Sequence, residues 1–210
     1  MEYIKHSFRH AEDIFNNDGE FTYLWDEILE VLDNISDDDL INEFNSERRK
    51  AKSISEAINK LIAKGLREKG WSEQSRIFAD PEYSDNKGTW RLDFAKNNIA
   101  IEVAFNHGGN VSWNLIKPVL SSELNHVKKA IQTQAGVVIT ATDAMKKAGG
   151  FDNAIGTYEK YVEYLKPLNS LLTTPMMIIG LEPPKSFIIE QKLEGGKKVG
   201  HVKMKFENHN

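Results

Sequence analysis

The 210-residue chain contains no cysteine. Disulfides and thiolate metal sites are thereby excluded, and a cytoplasmic home is the default expectation. Long apolar runs are missing as well. No stretch approaches the roughly 20 apolar residues that cross a bilayer, and the start, MEYIKHSFRH, lacks the apolar centre of a signal peptide. No membrane partner is expected. Prolines number 6, and no Pro/Gly-rich linker, low-complexity tract or internal repeat divides the sequence. The reading is one domain over 1–210, with an acidic helical N-terminal region 1–47, a core over about 53–184 and a C-terminal edge hairpin over about 185–207.

Positive charge is absent from residues 11–47, which hold 13 acids and no Lys or Arg. The rest of the chain carries 27 basic against 18 acidic residues, a formal +9, although the whole is −4. An acidic region turned away from a basic cleft reconciles this balance with a phosphate-bearing partner. Acids that merely solvate one helix face explain it equally well. His6, His10, His126, His201 and His209 show no paired ligand spacing, so zinc is not expected.

What the sequence does have is the stretch 90–105, WRLDFAKNNIAIEVAF. Ile99, Ile101, Val103 and Phe105 alternate with Ala100, Glu102 and Ala104, the period of a strand. A polar turn at Lys96, Asn97 and Asn98 predicts a hairpin that sets Asp93 beside Glu102. Two adjacent carboxylates repel, and a divalent cation is the natural third party. An ordinary polar hairpin face is the bland alternative.

Around this hairpin the periodicity predicts a helix over roughly 20–35 and a second, capped by Asp37–Asp39, ending near Asn45. Residues 47–52, ERRKAK, form a basic cluster. A helix starts at Ser53 or Ser55 as N-cap and ends at Gly70, and Trp71–Ala79 reads as a first strand. Trp113, Ile116, Leu120, Leu124, Val127 and Ile131 predict one long helix, with Pro118 in its first turns. VVITAT and MMIIGL read as strands buried on both faces, separated by a helix over 152–166. The tail predicts an edge hairpin around Gly195–Gly196, with Val199, Val202, Met204 and Phe206 apolar. The fold class is α/β, a mixed central sheet flanked by helices.

The pieces RLDF and AIEVAF, SELNH (122–126), GVVITAT, DNAIGTYEKYVEYL and TTPMMIIGLEPP occur in an order that resembles the BglII-type restriction endonucleases, BstYI among them, of the PD-(D/E)xK superfamily. SISEAINKLIAKGLREKGW (53–71), with Asn59 and its Gly-Trp end, resembles them too. The first 45 residues add only Leu24-Trp25 and Glu27-Ile28. The resemblance implies a homodimer that cleaves a short palindromic double-stranded DNA site with Mg²⁺ and no nucleotide cofactor, with a GATC-centred site such as AGATCT or RGATCY. It makes Asp93 and Glu102 the catalytic acids and metal ligands, with the Val103 backbone carbonyl as a further ligand. Asn106, His107, Asn153 and Ala154 match positions that reach base edges. Lys146 and Lys147 read as phosphate contacts or as plain solvated lysines, and Glu56 as an accessory acid or a helix cap. Trp113, Tyr158 and Tyr161 read as core.

One departure stands out. The third motif position, Lys in many PD-(D/E)xK nucleases and Gln in the BglII-type enzymes, is Ala104 here. Alanine orients no water. Either a bound metal lowers the water's pKa unaided, or Lys96, Lys117 or Glu123 substitutes, or the protein binds DNA and cuts slowly or not at all. A repair- or transposon-type nuclease of the same fold is a further rival, as is a metal-binding or interaction module without DNA.

Overall fold

Strands β5 (Ala135–Ala141) and β6 (Met176–Leu181) are buried at every residue. They run parallel, and β4 (Ile99–Val103) joins them in parallel from the other side. These three strands are the middle of a six-stranded sheet in the order β1-β6-β5-β4-β3-β2. β3 (Arg91–Lys96) and β2 (Ser72–Arg76) extend it antiparallel at one edge, and β1 (Tyr3–Phe8) pairs antiparallel with β6 at the other. The chain is a computed structural model that describes residues 1–46, 51–83, 89–123 and 126–205.

Alternation along the strands sorts side chains onto two covered faces. Ile101, Val137, Ile139, Met177 and Ile179 face helices α1 (Ala11–Asn17), α2 (Gly19–Asp33), α3 (Asp37–Ser46) and α4 (Ser55–Glu68) in one core. Ala104, Val138, Met176 and Ile178 face α5 (Val111–Ser122) and α7 (Tyr158–Leu165) in another. Close approach of α5 depends on Gly136, where an added Cβ would lie 2.7 Å from Pro118. That contact fixes the height of α5 over the sheet. α6 (Asp143–Ala148) follows β5 directly, capped by the Thr142 hydroxyl, which accepts from Met145 N at 3.1 Å.

Several expectations need correction. The N-terminal region is not wholly helical, since β1 precedes its helices. The residue before α4 is Ile54, without a side-chain cap, while the Ser53 and Ser55 hydroxyls bond each other at 2.9 Å. The long helix is short. It starts at Val111 and ends at Ser122, so Pro118 is its eighth residue rather than an early one. Lys128 and Ala130 instead bond Ala79 and Ile77 along an extended edge, which explains why Val127 and Ile131 are apolar. Residues 152–157 are a loop before α7, and α6 was not anticipated. β7 (Phe187–Glu194) and β8 (Lys197–Met204) do form a hairpin, with Gly195 and Gly196 at positive φ, but as a separate two-stranded sheet. Met204 there is 54 % exposed, not apolar core. The basic cluster at 47–50, Leu124, Phe206 and His209 lie outside the described residues.

Candidate active site

The hairpin forms as the alternation requires. Phe94, Ala95 and Lys96 pair with Ile101, Ala100 and Ile99, and Asn97 takes the left-handed turn position. One step further from the turn the ladder gives way to a side chain: Val103 N donates to Asp93 Oδ2 at 2.8 Å. This bond orients the Asp93 carboxylate at the strand end and leaves its second oxygen for another partner.

Glu102 shares the alternation of Ala100 and Ala104 and therefore points toward α5. It is 1 % exposed. Its Oε2 meets the ammonium of Lys117, itself buried on α5. Its Oε1 is buried with no hydrogen-bond partner among the described residues. Burial first, and then the charge of Asp93, push the Glu102 carboxyl up to about 8 despite Lys117. Asp93 is raised as well, by burial, against the charge of Lys117 and hydrogen bonds from Val103 and Gln74. An orphaned buried oxygen beside a second carboxylate is a costly arrangement for a protein without a ligand.

That observation fits a hard divalent cation, which takes oxygen ligands. Glu102 Oε1, the second oxygen of Asp93 and the Val103 carbonyl are the donors the strand ends offer. Among the described residues no cluster of three His, Cys, Asp or Glu side chains exists, so a backbone or solvent oxygen has to complete such a site. Asp93 and Val103 line a cavity of about 190 Å³ with Asn59, Ala63, Glu73, Gln74 and Phe94. Gln74 lies opposite Asp93 on β2, carries a left-handed φ of 52° and hydrogen-bonds the Asp93 carboxylate. Glu56 does not line this cavity. It is exposed and lies 3.6 Å from Lys60.

The three substitutes for the missing side chain at Ala104 separate clearly. Lys96 donates to both Glu27 oxygens, at 2.9 and 2.8 Å, and to the Lys69 carbonyl at 2.7 Å. Glu123 is exposed and accepts from Thr173. Lys117 alone of the three sits at the acids. Ala104 itself is 1 % exposed and held by its backbone, its carbonyl accepting from Thr140 Oγ1 at 2.8 Å.

The loops after β4 and after α6 come together. Gly108 N donates to the Ala154 carbonyl at 2.6 Å, Gly156 N to the Asn106 carbonyl at 3.1 Å, and His107 bridges Ile155. Asn106, His107, Asn153 and Ala154 are all exposed on this joined rim. His107 Nδ1 accepts from Gly109 N at 3.0 Å, which leaves Nε2 outward. Lys147 is exposed at the end of α6, while Lys146 is half-buried, 3.3 Å from Asp143. Trp113 and Tyr158 are half-buried, but Tyr161 is buried and bonded. Its hydroxyl accepts from Asn114 Nδ2 at 2.6 Å, and the same amide reaches Asn106 Oδ1 at 3.1 Å. Sequence reading missed Asn114 and Gln74. An amide three residues before Lys117, on one helix face, was the available signal for Asn114; none marked Gln74.

The family model described as "Restriction endonuclease BglII/BglIII" matches residues 3–181. Among solved structures, the chain is similar to restriction endonuclease BglII complexed with a DNA 16-mer, with a TM-score of 0.64 and 19 % identity over 98 % of this chain and 89 % of that one. It is similar to free BglII with a TM-score of 0.54 and 17 % identity, over 98 % of this chain and 100 % of that one. At these identities the likeness is one of fold. No curated protein sequence gives a significant match. Because the family model takes in β1 to β6 of the central sheet and helices α1 to α7 of the described residues, the chain belongs to the BglII/BglIII family of restriction endonucleases, which are type II site-specific deoxyribonucleases.

Proposed function

We propose that this chain hydrolyses both strands of a short palindromic DNA duplex, as a homodimer and with Mg²⁺. The observation that carries the reading is the Oε1 of Glu102, buried beside Asp93 with no hydrogen-bond partner among the described residues. Asp93, Glu102 and the Val103 carbonyl would hold the ion. When bound, it supplies charge to the scissile phosphate and lowers the pKa of a water. Asp93 accepts from Val103 N and from Gln74, and Glu102 gives one oxygen to Lys117, so Glu102 Oε1 is the oxygen that would be offered to the ion, with the Asp93 carboxylate beside it.

Specificity belongs to the joined rim. Asn106 and Asn153 are amides that pair with base edges, and an outward His107 Nε2 suits guanine N7 or O6. Ala154 offers a methyl and a backbone already tied to Gly108. Lys147, with Lys146 behind it, suits a backbone phosphate and sets register without reading sequence. The relative solved with a DNA 16-mer supports DNA as substrate. A two-fold dimer matches a palindrome, and a GATC-centred hexamer such as AGATCT or RGATCY is the proposed site. The whole chain, 1–210, is taken to act as one domain in the cytoplasm.

The test is digestion of a plasmid of known sequence with Mg²⁺, beside Asp93→Ala and Glu102→Ala. Discrete fragments, lost in both variants, are expected, and their mapped ends give the site and overhang. Intact plasmid from folded protein, with Mn²⁺ as well, would overturn the nuclease reading in favour of a DNA-binding protein disabled at Ala104.

A further inference from the structure

Phosphodiester hydrolysis loads negative charge onto the phosphoryl oxygens and needs the attacking water held and stripped of a proton. The side chain two residues past Glu102 offers neither help, because Ala104 ends in a methyl group. Yet an ammonium is present on that face. It comes from the neighbouring helix. Lys117 sits one turn after Asn114 on α5, is 8 % exposed, and contacts Glu102 Oε2. Its charge is also felt at Asp93.

A buried ion pair is a poor way to stabilise a fold, since desolvating both charges offsets most of their attraction. This one leaves the glutamate half unsatisfied, so it is weaker still as a structural device. Its position is nevertheless tightly set. Pro118, the next residue, packs against β5 at Gly136, where no Cβ fits. Ser121, one turn on, donates to the Pro118 carbonyl at 2.9 Å. The helix is thus pinned to the sheet at the residue beside the lysine.

We infer that Lys117 is a catalytic residue, delivering from α5 the ammonium that Ala104 does not deliver from β4. The inference rests on the nuclease reading of the site. In the step it serves, the water oxygen forms a bond to phosphorus and the bond from phosphorus to the 3′ oxygen breaks, its electron pair leaving on that oxygen. The water's proton passes to solvent, and the 3′ oxygen takes one from solvent, so one water is consumed per bond. Lys117 neither gains nor loses a proton. It donates hydrogen bonds to the water oxygen and to a phosphoryl oxygen, where charge builds, while Glu102 Oε2 keeps it aimed.

The experiment compares wild type, Asp93→Ala, Lys117→Met, Lys117→Gln, and Lys117→Ala combined with Ala104→Lys, each as full chain. A duplex bearing the mapped site is bound in Ca²⁺, measured by anisotropy, and then cut in a single turnover after adding Mg²⁺. Lys117→Met or Lys117→Gln is expected to bind in Ca²⁺ within about 3-fold of wild type and to cleave about 10²–10³-fold more slowly, the loss typical of one charge-stabilising donor. The double variant should recover at least about 10-fold of that loss, which a purely structural lysine would not permit. Cleavage within about 3-fold of wild type in Lys117→Met, with Asp93→Ala inactive, overturns the inference and leaves the nuclease reading intact. So does loss of Ca²⁺-supported binding in parallel with cleavage. Failure of every Lys117 variant to fold, while Asp93→Ala folds, makes the lysine a structural prop and overturns it as well. A folded wild type that binds the duplex without cutting overturns both.

Discussion

Glu27–Lys96 and Glu102–Lys117 each join a buried carboxylate to an ammonium, and each ties a helix to the same β3–β4 hairpin, α2 through Lys96 and α5 through Glu102. At the turn end, every Glu27 oxygen is used. Oε1 accepts from Lys96 and Oε2 from Lys96 and from Trp71 Nε1 at 2.8 Å, while Tyr23 adds a further bond. Burial pushes the Glu27 carboxyl up, but hydrogen bonds from Lys96, Tyr23 and Trp71 outweigh it and hold it below the usual value. At the open end, Glu102 is left with one idle oxygen, a like charge beside it and a raised pKa. The same two residue types thus satisfy both carboxylate oxygens in one place and leave one without a partner among the described residues in the other. What separates them is satisfaction, not burial.

Removing the acids of the open end should break the comparison most visibly. Asp93→Ala and Glu102→Ala are expected to lower Mg²⁺-dependent cleavage by about 10³-fold or more, while circular dichroism shows folded protein. Glu27→Ala should do the reverse. It strands Lys96 and is expected to cost about 3 kcal/mol, the lower end for a broken buried pair, and so to lower Tm by ~6–12 °C. Cleavage per folded molecule should stay near wild type. Because the Glu27 pKa is depressed in the fold, its contribution is present above the unfolded value of about 4.3 and is lost as pH falls through the lower folded value. The Tm gap between wild type and Glu27→Gln should therefore narrow at acid pH.

At the open end the sign inverts. Asp93 and Glu102 are raised, so their contribution is full below the unfolded pKa and is lost as pH rises, through about 8 for Glu102. Asp93→Asn should raise the Tm of metal-free protein, by ~2–4 °C for each kcal/mol gained, with a gap that widens from pH 5 to pH 8. A smaller effect is expected at Gln74. Gln74→Gly relieves its left-handed backbone, worth about 1 kcal/mol, but removes a bond to Asp93. Equal or higher Tm with cleavage down about 10-fold, the scale of a lost supporting contact, is the expected pairing. Smallest of all, Lys147→Ala should reduce the slope of log K for DNA against log salt by about 1 without changing site preference.

Much of this was legible in the sequence. Alternation in IAIEVAF and unbroken apolar runs in VVITA and MMIIGL fixed the central strands, because period and burial follow directly from side-chain chemistry. The hairpin placed Asp93 and Glu102 together for the same reason. The helix through Ile131 failed because apolar spacing does not distinguish a helix from an extended segment that pairs at an edge, and the helix stops at Ser122, after which the Glu123 backbone is extended. β1 was missed since a half-exposed edge strand such as YIKHSF carries little periodicity. Choosing Lys117 over Lys96 needed three dimensions. Both are lysines near the acids in sequence terms, and only packing shows Lys96 claimed by Glu27, 69 residues away.

Thermal unfolding of metal-free protein with and without saturating Ca²⁺ tests the central claim most directly. Wild type and Glu27→Gln should each gain stability, about 2.7 kcal/mol at 100 times Kd, although they start from different Tm values. Asp93→Asn and Glu102→Gln should gain almost nothing. An equal shift in all four proteins, or none in wild type, would contradict a cation site at the idle oxygen of Glu102.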